Sequence, residues 1–415
     1  MTVLRHELIL TGHRHQAVPT RATASRCYAD EVKVGITCYP TYGGSGIVAT
    51  ELGLELANRG HDVHFITYAN PIRLDPGTPR IHYHEVEVSN YPLFQYPPYC
   101  LALASRMAEV ADSYALDLLH VHYAIPHSIA ALLAQQMLAT ERRLPFITTL
   151  HGTDITLVGS DRSYFPITKF SIEQSNGITS ISEFIRERTA DVFDVKNRVR
   201  VIPNFVNVAI YKPDVQKSEV RRYAPNGEKL LAHLSNFRPV KRVNDCIHIL
   251  ERVRKSAPAR LLMVGDGPDR GPAEILARDL GVQDHVSFLG KQDHVERLIP
   301  QADVLLMPSE LEAFGLAALE AMACGVPPVG TNAGGVPELI TNGVDGFMEA
   351  VGDIESQAAR TVQLITDDRL HERMAAAARQ TAVSRFSTES IIPQYERYYR
   401  EVCGESGATK PATSR

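Results

Sequence analysis

Short apolar runs recur along the chain, each ending in a glycine-rich or polar break and then giving way to apolar positions at helical spacing. In the first half, Val32–Thr37, Val63–Thr67, Leu116–Val121, Pro145–Leu150, Gly177–Ser180 and Val199–Ile202 read as strands. Ile47–Asn58, Leu101–Tyr114 and Ile129–Leu138 read as helices, and Ser182 as the cap of another. In the second half, Lys229–Ser235, Arg260–Val264, Val286–Leu289, Ala302–Met307 and Val326–Gly330 are strand-like, Val243–Lys255 is helical and Glu355–Arg385 is a helical, Ala-rich stretch. Strands alternating with helices build parallel sheets covered on both faces, so two doubly wound α/β domains are expected, at 31–205 and 206–392. A last helix, 393–402, carries Tyr395, Tyr398 and Tyr399 and is expected to pack back on the first domain. Residues 1–30 show no periodicity and read as a poorly ordered extension, and 404–415 as a polar tail. Ligands are expected between the domains, whose closure is the expected motion.

The breaks carry the chemistry. Glu312–Gly325 reads EAFGLAALEAMACG, a helix apolar all round and therefore buried, with Glu320 inside it and Glu312 just before it. A buried carboxylate needs hydrogen-bond donors, and the neighbouring sequence offers no basic partner. Either Glu320 reaches an edge and Glu312 caps the helix, or a ligand with hydroxyl groups satisfies them. The amides of Phe314, Gly315 and Leu316 open the helix and suit a phosphate. Gly43, Gly44, Ser45 and Gly46 follow the first strand as an anion-ready turn or simply as a tight one. Their spacing is not that of a dinucleotide fingerprint. Arg238, Lys241 and Arg242 after a strand make an anion clamp or a solvated basic turn. Tyr123, His151, Gly290 and Lys291 also stand at strand ends, where open α/β sheets place ligands.

Composition narrows the classes. The 415 residues carry a formal charge of -5, which argues against nucleic acid and anionic membrane surfaces as partners. Six scattered cysteines without C-x-x-C pairing fit a reducing cytoplasm. No apolar run reaches membrane-spanning length. His120, His122, His127 and His151 lack helical metal-ligand spacing and a carboxylate cluster, so no metal site is expected. Exposed tyrosine-rich segments leave a homodimer open.

GGSG after the first strand, HGTD near the middle, Arg238 with Lys241, and E-x7-E at Glu312 and Glu320 stand together in order. This combination resembles the family 4 retaining glycosyltransferases of the GT-B fold, across roughly Glu31 to Val402. Gly35–Leu54, HVHYAIPHS and SNFRPVKR resemble most closely a subgroup that makes the first bond of bacillithiol synthesis. Arg238 and Lys241 stand closer together than in the general family, as the subgroup has them.

The resemblance implies UDP-N-acetylglucosamine (UDP-GlcNAc) as donor, L-malate as acceptor, and no cofactor or metal. The first domain would then bind the acceptor and the second the nucleotide sugar. It implies Arg238 and Lys241 on the diphosphate, Glu320 on the ribose and Glu312 on a sugar hydroxyl. The amides of Phe314, Gly315 and Leu316 would face the phosphate and sugar, Gly290 and Lys291 the uracil, and His151 the sugar beside the scissile bond. Gly44, Ser45, Tyr123 and Thr149 would line the malate and phosphate side, with Asn204 nearby. Catalysis would rest on His151, Arg238, Lys241 and Glu312. The competing readings are another acceptor (an inositol phosphate, a lipid-linked sugar or a polysaccharide), a nucleotide-sugar epimerase, or a non-catalytic sensor.

Overall fold

The computed structural model describes residues 31–407 apart from 42, 89–92, 94, 139–143, 157–158, 160, 196–198 and 215–219. The extension expected over 1–30 lies outside the described residues, as do 408–415 of the expected tail. The first sheet contains β1 (Lys33–Thr37), β2 (Asp62–Thr67), β3 (Ile81–Glu85), β4 (Leu118–His122), β5 (Phe146–Leu150), β6 (Gly177–Ser180) and β7 (Arg200–Val201). Its order is β3-β2-β1-β4-β5-β6-β7, and every pairing is parallel. The second contains β8 (Lys229–Leu234), β9 (Ala259–Val264), β10 (Val286–Gly290), β11 (Val304–Met307), β12 (Pro328–Thr331) and β13 (Phe347–Glu349). Its order is β10-β9-β8-β11-β12-β13, again parallel throughout.

Strands covered on both faces are rich in apolar residues; β4, β5, β6 and β11 are buried at every position, and the His, Thr and Ser side chains among them are hydrogen-bonded. Close packing explains Gly35 in β1, where a Cβ would lie 2.7 Å from Leu119. Two strands escape the apolar-run criterion: β3 reads IHYHE at the sheet edge, and β13 has only 3 residues.

Helices also differ from the sequence reading. The first starts at Gly44, inside the glycine-rich turn, and runs to Asn58. The Ala-rich stretch is two helices, Ile354–Thr366 and Asp368–Phe386, because the Asp367 side chain accepts from Leu370 N and starts a new cap. The last helix is Thr388–Gly407, so 404–407, expected in the tail, are helical. Its Ile391, Ile392, Tyr395 and Tyr399 are buried with Val34, Ile36, Leu118 and Ile147 of the first sheet. Ile178 N donates to Tyr398 Oη at 2.9 Å, and His120 Nδ1 lies 2.7 Å from Tyr399 Oη.

Each sheet reverses its winding at one place, between β1 and β4 and between β8 and β11. The loops after these four strands are where such sheets bind ligands. The two lobes touch beside them. Ser182 Oγ donates to the Ala313 carbonyl, and Glu338 accepts from the amides of Glu183 and Phe184.

Candidate functional site

The loop after β11 holds the acid nearest the middle of the cleft. Lys241 Nζ lies 2.6 Å from Glu312 Oε1, which also accepts from Ser309 Oγ at 2.8 Å. Two glycines allow this loop its shape. A Cβ on Gly334, at φ +63°, would lie 2.0 Å from the Glu312 carbonyl, and one on Gly335 would lie 2.4 Å from that of Ala313. Gly315, at φ +98°, then starts the helix Leu316–Ala323, whose first-turn amides have no partner within the helix.

Glu320 sits on that helix with only 7% of its surface exposed. Burial raises its carboxyl pKa to about 6, opposed by the Arg73 guanidinium and the Tyr211 hydroxyl beside it. Arg73 comes from the other lobe, after β2, and pairs with Glu51 at 3.5 Å. Its distance along the sequence hid it as the cation whose charge offsets part of the burial of Glu320.

Two joined cavities run along the cleft. The smaller, about 260 Å³, is lined by Gly44, Arg73, Lys241, Lys291, Glu312 and Glu320. The larger, about 680 Å³, is lined by Ser45, Tyr123, His151, Asn204, Arg238, Phe314 and Gly315. Gly43, Gly44, Asn236, Lys241, Glu312 and Leu316 line both. Arg238 is exposed on the wall and has no ion-pair partner among the described residues. Asn204 Oδ1 and Asn236 Oδ1 are buried acceptors without a donor among the described residues. The unpaired Arg238, free helix amides and unfilled acceptors together suit an anionic, hydroxyl-bearing ligand.

On the first lobe's side, the helix Gly44–Asn58 has Gly43 as its cap, and Ile47 N makes the first bond, to the Gly43 carbonyl. Ser45 and Thr153 hydroxyls and the Arg238 charge oppose burial, which raises the Tyr123 phenol pKa. Tyr123 stacks on His151 with ring centroids 5.6 Å apart. Asp154 holds the HGTD turn: it accepts from the amides of Gly152, His151 and Ala124 at 2.8, 3.1 and 3.2 Å.

Two sequence-nominated residues stand off the cavity walls. Thr149 is wholly buried in β5, its hydroxyl 2.6 Å from both His120 Nε2 and Thr179 Oγ1, and it lines neither cavity. Gly290 lines neither cavity, and its carbonyl accepts from Gly265 N, so only Lys291 of that pair reaches the wall. Conversely, Arg73, Asn236 and Asp154 reach the site without having been selected from sequence. Asp154 lay in the HGTD signature and Asn236 beside the basic cluster; nothing local marked Arg73.

The glycosyltransferase family 4 model matches residues 42–210, and the model for glycosyl transferases group 1 matches 215–381. The N-acetyl-alpha-D-glucosaminyl L-malate synthase of Bacillus anthracis is 47% identical over 373 residues, covering 90% of this chain and 97% of that protein. The 2-deoxystreptamine N-acetyl-D-glucosaminyltransferase of Streptomyces fradiae is 25% identical and covers 90% and 95%. Among solved structures, Anabaena Alr3699/HepE in complex with UDP and glucose superposes with a TM-score of 0.72 at 20% identity, covering 89% of this chain and 100% of that one. Matched by these two models in tandem, with a closely similar relative spanning nearly its whole length and the two-sheet fold of its structural neighbours, the chain belongs to the family 4 glycosyltransferases of GT-B fold.

Proposed function

We propose that the chain transfers N-acetylglucosamine from UDP-GlcNAc to the hydroxyl of L-malate with retention, the first step of bacillithiol synthesis. The observation that carries this reading is the buried Glu320 on a cavity wall shared with Lys241, within one cleft that also holds Arg238. The relative's name supplies both substrates. Glu320 accepts from the ribose hydroxyls, Arg238 and Lys241 hold the diphosphate with the amides of Phe314, Gly315 and Leu316, and Glu312 accepts from a sugar hydroxyl. Lys291 faces the base. Ser45, Tyr123 and the amides of the Gly43–Gly46 turn hold the malate carboxylates, with Asn204 alongside.

In the reaction, the bond from the anomeric carbon to the phosphate oxygen breaks as that carbon bonds to the malate oxygen on the same face. The malate hydroxyl proton passes to the departing phosphate oxygen, so no side chain acts as base. Preorganised cations and amides stabilise the charge developing on UDP, which makes a divalent metal unnecessary. The described cysteines are all free, which fits a cytoplasmic enzyme. Among the described residues, no helix is long and apolar enough to cross a membrane.

The test is UDP release from UDP-GlcNAc, with chelator present, against a panel of hydroxy acids. Release with L-malate above all others is expected. Release with a different acceptor overturns the acceptor assignment, and UDP-N-acetylmannosamine formed without any acceptor favours an epimerase.

A further inference from the structure

Behind the reaction cavity lies a group of histidines of which only His151 has so far been given a task. His151 lines the cavity, and its Nε2 is 2.8 Å from Nδ1 of His122 on β4. The two rings are nearly parallel, with centroids 5.1 Å apart and planes 29° apart. His122 is fully buried and its other nitrogen, Nε2, has no hydrogen-bond partner among the described residues. The nearby His120 cannot supply one, since its own nitrogens face Tyr399 Oη and Thr149 Oγ1.

Burial keeps both rings of the pair neutral: the pKa of His151 falls to about 3 and that of His122 well below its ordinary value. A neutral imidazole has one donor and one acceptor nitrogen, so the single proton between the rings fixes both tautomers. Suppose it belonged to His151 Nε2. His122 would then carry its proton on Nε2, a buried N–H with nothing to accept it, which is the costlier kind of orphan. If it belongs to His122 Nδ1, the orphan is only a lone pair. His127 is a precedent in the same cluster. Its Nδ1 faces the His122 carbonyl at 2.5 Å and must donate, leaving a buried Nε2 lone pair unpartnered.

We propose that His122 is a positioning residue that fixes His151 in the tautomer protonated on Nδ1, so that His151 presents an N–H donor, and no base, to an oxygen of the bound sugar nucleotide. That ligand rests on the function proposed above; the tautomer does not. His151 Nδ1 has no protein partner among the described residues. Its ring is also held by the stack on Tyr123 and its amide by Asp154, so the direction of this donor is set on three sides.

The tautomer is read directly from 15N shifts of histidine-labelled, substrate-free enzyme, with the His151 signals assigned by their loss in His151→Asn. A proton-bearing Nδ1 and a bare Nε2 on His151 are expected; the reverse pattern overturns the proposal. Kinetics supply the second arm. His122→Phe fills the site without a donor and is expected to lower kcat about 100-fold through misplacement of His151, with KM for UDP-GlcNAc little changed. His122→Asn, whose side-chain amide can donate from the position of Nδ1, is expected to restore most of the rate. Equal rates for wild type and His122→Phe overturn the positioning role, as does His122→Asn as slow as His122→Phe when both melt like wild type. Wild-type enzyme that shows the expected shifts but transfers to no hydroxy acid upholds the tautomer and instead refutes the acceptor assignment.

Discussion

Lys241 and Glu312, 71 residues apart in sequence, meet at 2.6 Å on the wall shared by both cavities. Under the proposed assignment, the acid that meets the sugar aims the cation that holds the diphosphate, so one coupled pair would grip two adjacent parts of the donor. Lys241→Gln keeps much of the stem and removes the charge. Loss of one preorganised stabiliser of this kind costs about 100-fold to 1,000-fold in kcat, and steady-state kinetics with UDP-GlcNAc and malate checks it. A fall only in malate affinity would place the lysine on the wrong substrate.

Glu320 gives a pH signature. Its folded pKa of about 6 lies above its ordinary 4.5, because burial disfavours the charged form. Its contribution to stability is therefore complete below about pH 4.5 and is lost as pH rises through about 6. Glu320→Gln removes that loss. The variant should be more stable than wild type by about 2 kcal/mol at pH 8, with the gap closing towards pH 4.5. UDP affinity should behave oppositely: wild type binds more weakly as pH falls through about 6, and the variant binds weakly throughout. Thermal melts and titration calorimetry across this range separate the two effects.

Ser45 lines the larger cavity, whereas Thr149 lies beneath it with its hydroxyl between His120 and Thr179. Ser45→Ala should raise the malate KM more than the donor KM. Thr149→Val should leave the malate KM nearly unchanged and lower stability by about 1–3 kcal/mol, the cost of leaving buried polar partners unsatisfied. Initial rates and denaturant unfolding check the pair, and a malate-specific defect in Thr149→Val would return that residue to the acceptor site.

The Glu338 carboxylate accepts from the amides of Glu183 and Phe184, both at 2.8 Å, so the second lobe caps a helix of the first. Glu338→Ala should cost about 1–2 kcal/mol, the worth of a helix cap. Hydrogen exchange at the amides of 183 and 184 should speed up. Unchanged exchange there would mean the lobes do not rely on this contact.

Repeating local patterns settled much of this molecule before any coordinates. A strand buried on both faces is mostly apolar, and its carboxyl end must turn, so VGIT, LLMV and VLLM announced two parallel sheets and the glycines beside them the edge where such sheets place ligands. The acid in EAFGLAALEAMACG could likewise be read as out of place, since a carboxylate in an apolar helix demands a partner. β3 and β13 were not legible, because an edge strand of histidines and one of 3 residues carry no apolar run.

What only the tertiary structure decided is which side chains meet. Arg73 reaches the surroundings of Glu320 from the opposite lobe, Thr149 bonds to its neighbouring strands and lines neither cavity, and His122 stands behind His151. Strand pairing brings His122 and Thr149 into register although 27 residues separate them. The reason is physical: periodicity follows from one residue's burial along its own strand or helix, whereas a contact across a cleft depends on sheet register and on how two lobes pack. No local pattern records either.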